Sequence, residues 1–326
     1  MRKAFVFFLL IVMILVLVGY TFFIRDWGAS IQAGDFQCRI FLDKTVKISY
    51  YGGTEEEVVI PSYIDGYKVI GVGAMAFQES TVKKVTLPET VETIDPAAFY
   101  LCRSLEEIEF SDGLKSVCEF AFLGCTALRE IEFPDSLETV GRLAFAECYS
   151  LESIDFGNGI TDIEGFVKPA TESCVDIYEA ISKYDSFNSS GHYSSFFGCY
   201  SLKEIKFGSE NESYRATDGV IYSKDGKRLV YYCPGKEETE FIVPDSVEII
   251  ERAAFSDCDN LERVVIGDSV EKVGQDAFLS SDLLNEVVFV DPQGWVYSDS
   301  PALLDDPEAV AVWFKEGTVL GDLTKK

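Results

Sequence analysis

One pattern of about 23 residues is written three times in succession between residues 89 and 158 and recurs twice after two interruptions, so this chain folds by repetition. Aligning on the Phe of an Ala-Phe pair (Phe99, Phe122, Phe145, Phe255, Phe278) puts eight columns in register. One repeat reads Leu137, Val140, Ala144, Phe145, Cys148, Leu151, Ile154, Phe156, and its neighbours keep the same offsets. Only Ser281 breaks the apolar rule of these columns. The residues between them are mostly Glu, Asp, Ser, Thr and Gly, so each repeat turns one side inward and one to water. A unit of this size buries too little surface to offset the entropy of ordering its own chain. The core must therefore form between repeats stacked coil on coil.

Nine short segments read as the strand of each coil: Val58 to Ile60, Val85 to Leu87, Ile108 to Phe110, Ile131 to Phe133, Ile154 to Phe156, Ile205 to Phe207, Phe241 to Val243, Val264 to Ile266 and Val287 to Phe289. Pro or Gly follows seven of them at once, which suits a turn and stops a strand. The period lies in the 20 to 29 residue range of leucine-rich repeats. The expected fold class is an α/β-type solenoid of leucine-rich repeats of about 23 residues, with stacked parallel short strands, turns or short helical segments, an N-terminal β cap and a C-terminal helical cap.

The ends and the interruptions set the boundaries. Arg2 and Lys3 precede Ala4 to Ile24, an uncharged run long enough as a helix to span about 31 Å, close to the roughly 30 Å hydrocarbon core. Residues 1–34 read as a signal anchor, or a cleaved signal peptide, with a transmembrane helix at 4–24 and the rest of the chain outside. Residues 35–73 alternate as strands do and read as the N-terminal β cap, residues 74–289 as the solenoid, and residues 290–326 as the C-terminal cap. In that last part Asp306 is placed to cap a helix whose buried stripe would be Val310, Trp313 and Phe314. Within the solenoid, Phe196 arrives 28 residues later than the period requires, giving an insert at 166–194. Part of it, Pro169 to Tyr184, has helical spacing, and the rest is rich in Tyr, Ser, Gly and Asn. A second interruption, 208–243, reads as a hairpin turning at Lys224-Asp225-Gly226-Lys227 and then a coil strand.

Charge and residue inventory narrow the chemistry. The net charge is −27, which makes nucleic acid an unsuitable partner and favours solubility or a basic partner. Five of nine cysteines (Cys102, Cys125, Cys148, Cys199, Cys258) share one column, which reads as a buried packing ladder or as disulfides between stacked neighbours. His192 is the single histidine, so a histidine-dependent triad or a zinc site has little to draw on, and neither an enzyme nor a cofactor is expected. Outward strand positions read Glu107 and Glu109, Glu130 and Glu132, Ser153 and Asp155 on successive coils. They form either a solvated face or a docking surface for a basic partner or cation. Tyr184, Phe187 and Tyr193 in the insert have the composition of binding loops, or of an insertion tolerated on the rim.

These residues resemble the BspA-like leucine-rich repeat family, bacterial-type surface proteins. The resemblance is carried by IPSYIDGYKVIGVGAMAF at 60–77, FPDSLETVGRLAFAECYSLESIDF at 133–156, DGVIYSKDGKRLVYYCPG at 218–235 and VPDSVEIIERAAFSDCDNLERVVI at 243–266. It covers about residues 35–316 and is specific for the fold. It implies an exported, non-catalytic surface protein engaged in adhesion or protein binding; host or neighbouring-cell surface proteins are the partners expected on that reading. An envelope module without a dedicated ligand and a carbohydrate-binding surface protein are the alternatives.

Overall fold

A computed structural model of the chain describes residues 29–163, 194–297, 300, 301, 304, 306–315 and 322–325. The expected transmembrane segment 4–24 lies outside them, as does the insert apart from Ser194. Among the described residues no helix is long and apolar enough to cross a membrane.

The repeat builds a solenoid with two parallel ladders. The front ladder holds the nine anticipated strands, each beginning one residue earlier than the apolar triplet suggested: Glu57–Val59, Lys84–Thr86, Glu107–Glu109, Glu130–Glu132, Ser153–Asp155, Glu204–Lys206, Glu240–Ile242, Arg263–Ile266 and Glu286–Phe289. In the three-residue strands the middle side chain points to the core and its neighbours point outward, as the period of two requires. Hydrogen bonding joins these strands in three groups of three. The first break falls between Glu107–Glu109 and Glu130–Glu132, the second at the hairpin unit.

A back ladder of two-residue strands, Thr93–Ile94, Ser116–Val117, Thr139–Val140 and Asp162–Ile163, runs along the opposite edge. The sequence showed this column only as apolar, because two residues are too few to display alternation. Between the ladders lie the Ala-Phe turns, whose rings form a spine. Tyr51, Phe77, Phe99, Phe122, Phe145 and Phe196 stack with centroids 4.8, 5.0, 5.1, 5.3 and 6.0 Å apart. These turns are tight enough to need two left-handed residues each, for example Ala97 and Leu101 (φ 56° and 57°) or Leu143 and Glu147 (φ 55° and 58°).

Both ends are closed by antiparallel strands that cannot extend the stack. At the N-terminus β1 (Ser30–Ala33), β2 (Phe36–Ile40) and β3 (Thr45–Tyr51) form a meander, and β3 then pairs in parallel with Tyr67–Val72. The cap thus reaches back to Ser30, inside the segment 1–34 read as the anchor. At the other end α1 (Pro307–Lys315) is capped by Asp306, whose Oδ1 accepts from the Glu308 and Ala309 N–H groups at 3.2 Å each. Its buried side chains are Val310, Ala311 and Phe314. Trp313, expected in that stripe, is half-buried and meets Tyr297 edge-on at 5.5 Å, because the small Ala311 lies on the buried face. A final strand, Leu323–Lys325, pairs antiparallel with Lys272–Val273 and with Trp295–Tyr297. The C-terminal cap is therefore helix and strand together.

The second interruption is a three-stranded antiparallel unit, Tyr214–Thr217, Val220–Ser223 and Arg228–Tyr232. Asp225 fixes its turn, accepting from Ser223 Oγ at 2.6 Å and from the Lys227 N–H at 3.0 Å. Arg228 and Leu229 then pair in parallel with Ile249 and Ile250, which restarts the back ladder.

Candidate functional site

The front face is chemically divided. In its N-terminal half the outward positions of two successive strands, Glu107–Glu109 and Glu130–Glu132, are all acidic, and the first ladder break falls between them. A cleft of about 670 Å³ opens there, lined by Glu107, Glu109, Asp112, Glu130, Glu132, Ser153, Asp155 and Lys206 over a floor that includes Ile108, Phe110, Ile131 and Phe133. Like charges stacked at the spacing of coils repel by nearly 1 kcal/mol per pair even in water. The hydrogen-bonded ladder is interrupted where two such pairs stand on successive coils. Beneath them the core stays closed, with the Phe110 and Phe133 rings stacked at 4.6 Å.

The five acidic residues read from the sequence are not equivalent. Lys84 Nζ lies 2.8 Å from Glu107 and 2.6 Å from Glu109, and Thr86 Oγ1 donates to Glu109 at 2.9 Å. The Lys84 hydrogen bond, with that of Thr86, holds the Glu109 carboxyl below its ordinary value. Asp155 is occupied in its own turn, accepting from the Gly157 N–H at 2.9 Å. Lys206 pairs with Glu204 at 2.9 Å, and that hydrogen bond raises its ammonium pKa, with smaller help from Asp155 and Glu130. Glu130 and Glu132 make no ion pair among the described residues, so the centre of the cleft carries the least compensated charge. Tyr184, Phe187 and Tyr193 lie outside the described residues.

In the C-terminal half the same outward positions change character. Arg263 bridges Glu240 and Glu286, the latter at 2.9 Å. Beside this clamp Ile242, Val265 and Val288 stand in register across three strands, and Ile242 is 64% exposed. Ile242 was absent from the sequence-based candidates, although the alternation of the Glu240–Ile242 segment already turns it outward.

The cysteine column is buried and its members are free thiols. Burial pushes Cys102 up to about 12 and Cys125 well above the ordinary thiol value, which leaves them poor nucleophiles. Among the described residues no group of three His, Cys, Asp or Glu side chains is arranged to hold a metal ion.

The BspA type leucine rich repeat region matches in six copies over residues 70–177 and 229–294, more than half of the chain. The chain belongs to the BspA-type leucine-rich repeat family. Among solved structures it is similar to the pneumococcal vaccine antigen PcpA, at 21% identity over 80% of this chain and 70% of that one, with a TM-score of 0.53. It is also similar to a leucine-rich repeat protein of T. pallidum, at 23% identity over 78% and 91% of the two chains with a TM-score of 0.47. A leucine-rich cell surface protein of Faecalibacterium prausnitzii aligns at 22% identity over 79% and 76%, with a TM-score of 0.45. The likeness to PcpA supports the solenoid fold. No curated protein matches the chain.

Proposed function

We propose that this chain is a non-catalytic cell-surface protein that binds a basic segment of another protein on the acidic half of its front face. The observation that carries this reading is the cleft centred on Glu130 and Glu132, where an exposed sheet face gathers four glutamates, two of them without an ion pair among the described residues, over an apolar floor. A basic side chain placed there gains attraction and keeps its stem against the partly exposed Phe110. The register of Ile242, Val265 and Val288 extends the face with a stripe suited to apolar contacts, and Tyr184, Phe187 and Tyr193 of the insert have the composition to add to the same recognition. Residues 4–24 hold the protein to the membrane in this reading, with the solenoid outside.

The test compares the full chain with a variant carrying E107Q, E109Q, E130Q and E132Q. Each is used to capture biotinylated surface proteins from neighbouring cells at about 50 and 300 mM salt. The reading expects partners whose capture weakens with salt and is lost in the variant. Capture that is unchanged by the four substitutions contradicts it.

A further inference from the structure

Each regular Ala-Phe turn ends in a left-handed residue whose N–H is taken by a carbonyl of the next coil. Leu101 donates to Leu123 O at 2.8 Å, Gly124 to Ala146 O at 2.8 Å and Glu147 to Phe197 O at 2.7 Å. Gly198 (φ 75°) is next in this column, and there the rule changes. The coil that follows is the one rebuilt by the hairpin. Its equivalent stretch, Tyr232-Cys233-Pro234-Gly235, carries no Ala-Phe pair, and Cys233 O is turned back to accept from the Lys236 N–H at 3.3 Å. The Gly198 N–H donates instead to Asp257 Oδ2 at 3.1 Å. Asp257 belongs to the coil beyond, holds the same left-handed place in its own turn (φ 60°), and is 2% exposed. Its own N–H continues the column to Leu279 O at 3.0 Å. A side-chain carboxyl thus stands in for the missing backbone carbonyl.

Both ladders are interrupted at this level. Glu204–Lys206 ends one front group and Glu240–Ile242 begins the next, while Asp162–Ile163 ends one back sheet and Tyr214–Thr217 begins another. The buried apolar side chains likewise divide into two main clusters, one running from Cys38 to Cys233 and the other from Val220 to Leu323. Asp257 therefore bridges a seam between two halves of the solenoid that no strand ladder crosses.

We propose that Asp257 is a pH-sensitive stitch across this seam, holding the halves together when its carboxyl is neutral and loosening them when it is ionised. Its oxygen accepts the Gly198 N–H in either state, so the charge is the variable. Asp259 on the same turn and Asp282 on the next coil face it with like charge, and Cys199, Tyr200, Tyr231 and Cys258 surround it. Burial pushes the carboxyl up to about 7; the Gly198 hydrogen bond opposes this, and Asp259 and Asp282 add to it. A carboxyl whose folded pKa lies above its unfolded value of 3.8 binds its proton more tightly when folded. Its stabilising effect is therefore fully present below that unfolded value and is lost as pH rises toward about 7.

The experiment is amide hydrogen exchange on the full chain between about pH 5.5 and 8.5, corrected for intrinsic rates, read at Gly198 and its neighbours. In the wild type, protection of this turn should fall on the order of tenfold or more from the acid to the alkaline end. D257N keeps an oxygen acceptor, suits the left-handed backbone and removes the charge. It should show protection that does not vary with pH and exceeds the wild type at about pH 8.5. D257A removes the acceptor and should leave the turn weakly protected throughout. Flat protection in the wild type, or a pH dependence retained in D257N, would overturn the proposal, and neither outcome depends on D257A folding.

Discussion

At the scale of single residues, the cysteine column and its exception obey one rule that polarity hides. Cys102, Cys125, Cys148 and Cys199 direct Sγ at the carbonyl of the preceding coil's Phe77, Phe99, Phe122 and Phe145, at 2.8, 3.2, 3.3 and 3.1 Å. Ser281, the one polar residue in eight apolar columns, does the same to Phe255 O at 2.6 Å and also accepts the Cys258 N–H at 3.3 Å. The column asks for a small side chain with a donor, which both Cys and Ser supply. Cys125→Ser should therefore stay within about 1 kcal/mol of the wild type, while Cys125→Ala, which loses volume and donor together, should cost about 1 to 2 kcal/mol. Denaturant unfolding of the two variants checks this. The left-handed positions make a second prediction. Ser280 is exposed at φ 60°, so Ser280→Gly should raise stability by about 0.5 to 1 kcal/mol. A lower denaturation midpoint in that variant would show that the turn is not strained there. None of this was legible as a rule, because each partner lies one coil away and the sequence orders residues by polarity alone.

At the scale of elements, the front strands were legible because a short apolar segment preceded by an outward polar residue repeats nine times, with a polar residue also after the buried one in five of them, and because Pro or Gly closes seven of the segments. The hairpin was legible for the same reason, with Asp225-Gly226 marking its turn. The back ladder and the closing strand Leu323–Lys325 were not, since two or three residues with one buried side chain carry no period. Glu107, Glu109, Glu130 and Glu132 face outward as their alternation requires, yet the sequence could not show that Lys84 pairs with Glu107 and Glu109 while Glu130 and Glu132 make no ion pair among the described residues. The caps also carry a prediction. Phe314 closes the aromatic spine, 5.1 Å from Phe278, so Phe314→Ala should cost about 3 to 5 kcal/mol at the C-terminal end. Stacked repeats communicate through neighbours, and the loss should appear as faster amide exchange in Lys272–Val273 and Leu323–Lys325, with Thr93–Ile94 unaffected. Uniform exchange along the solenoid would mean that the last coil is not held by the helix.

At the scale of the molecule, the acidic balance couples stability to pH. Burial raises the carboxyl pKa values of Glu147, Glu251, Asp257, Asp259 and Asp276. Each raised group favours the folded state more as pH falls toward its unfolded value. The lowered carboxyls, such as Glu92, Glu109 and Asp225, act in the opposite sense but are exposed and worth little. Titrating a chain of net charge −27 also relieves self-repulsion. The melting temperature should therefore rise as pH is lowered from about 8 to 5, and D257N should flatten part of that slope. A melting temperature that falls over this range would contradict the balance.

The two ladders, the aromatic spine and the two caps together support the front face, on whose acidic half recognition is proposed. Carboxyl footprinting tests that assignment most directly, by labelling Glu107, Glu109, Glu130 and Glu132 in the free full chain and in its complex with a captured partner. Labelling of Glu130 and Glu132 should drop strongly on binding while carboxylates away from the front face, such as Glu79, stay unchanged. Labelling of the four glutamates that is the same in both states would contradict it.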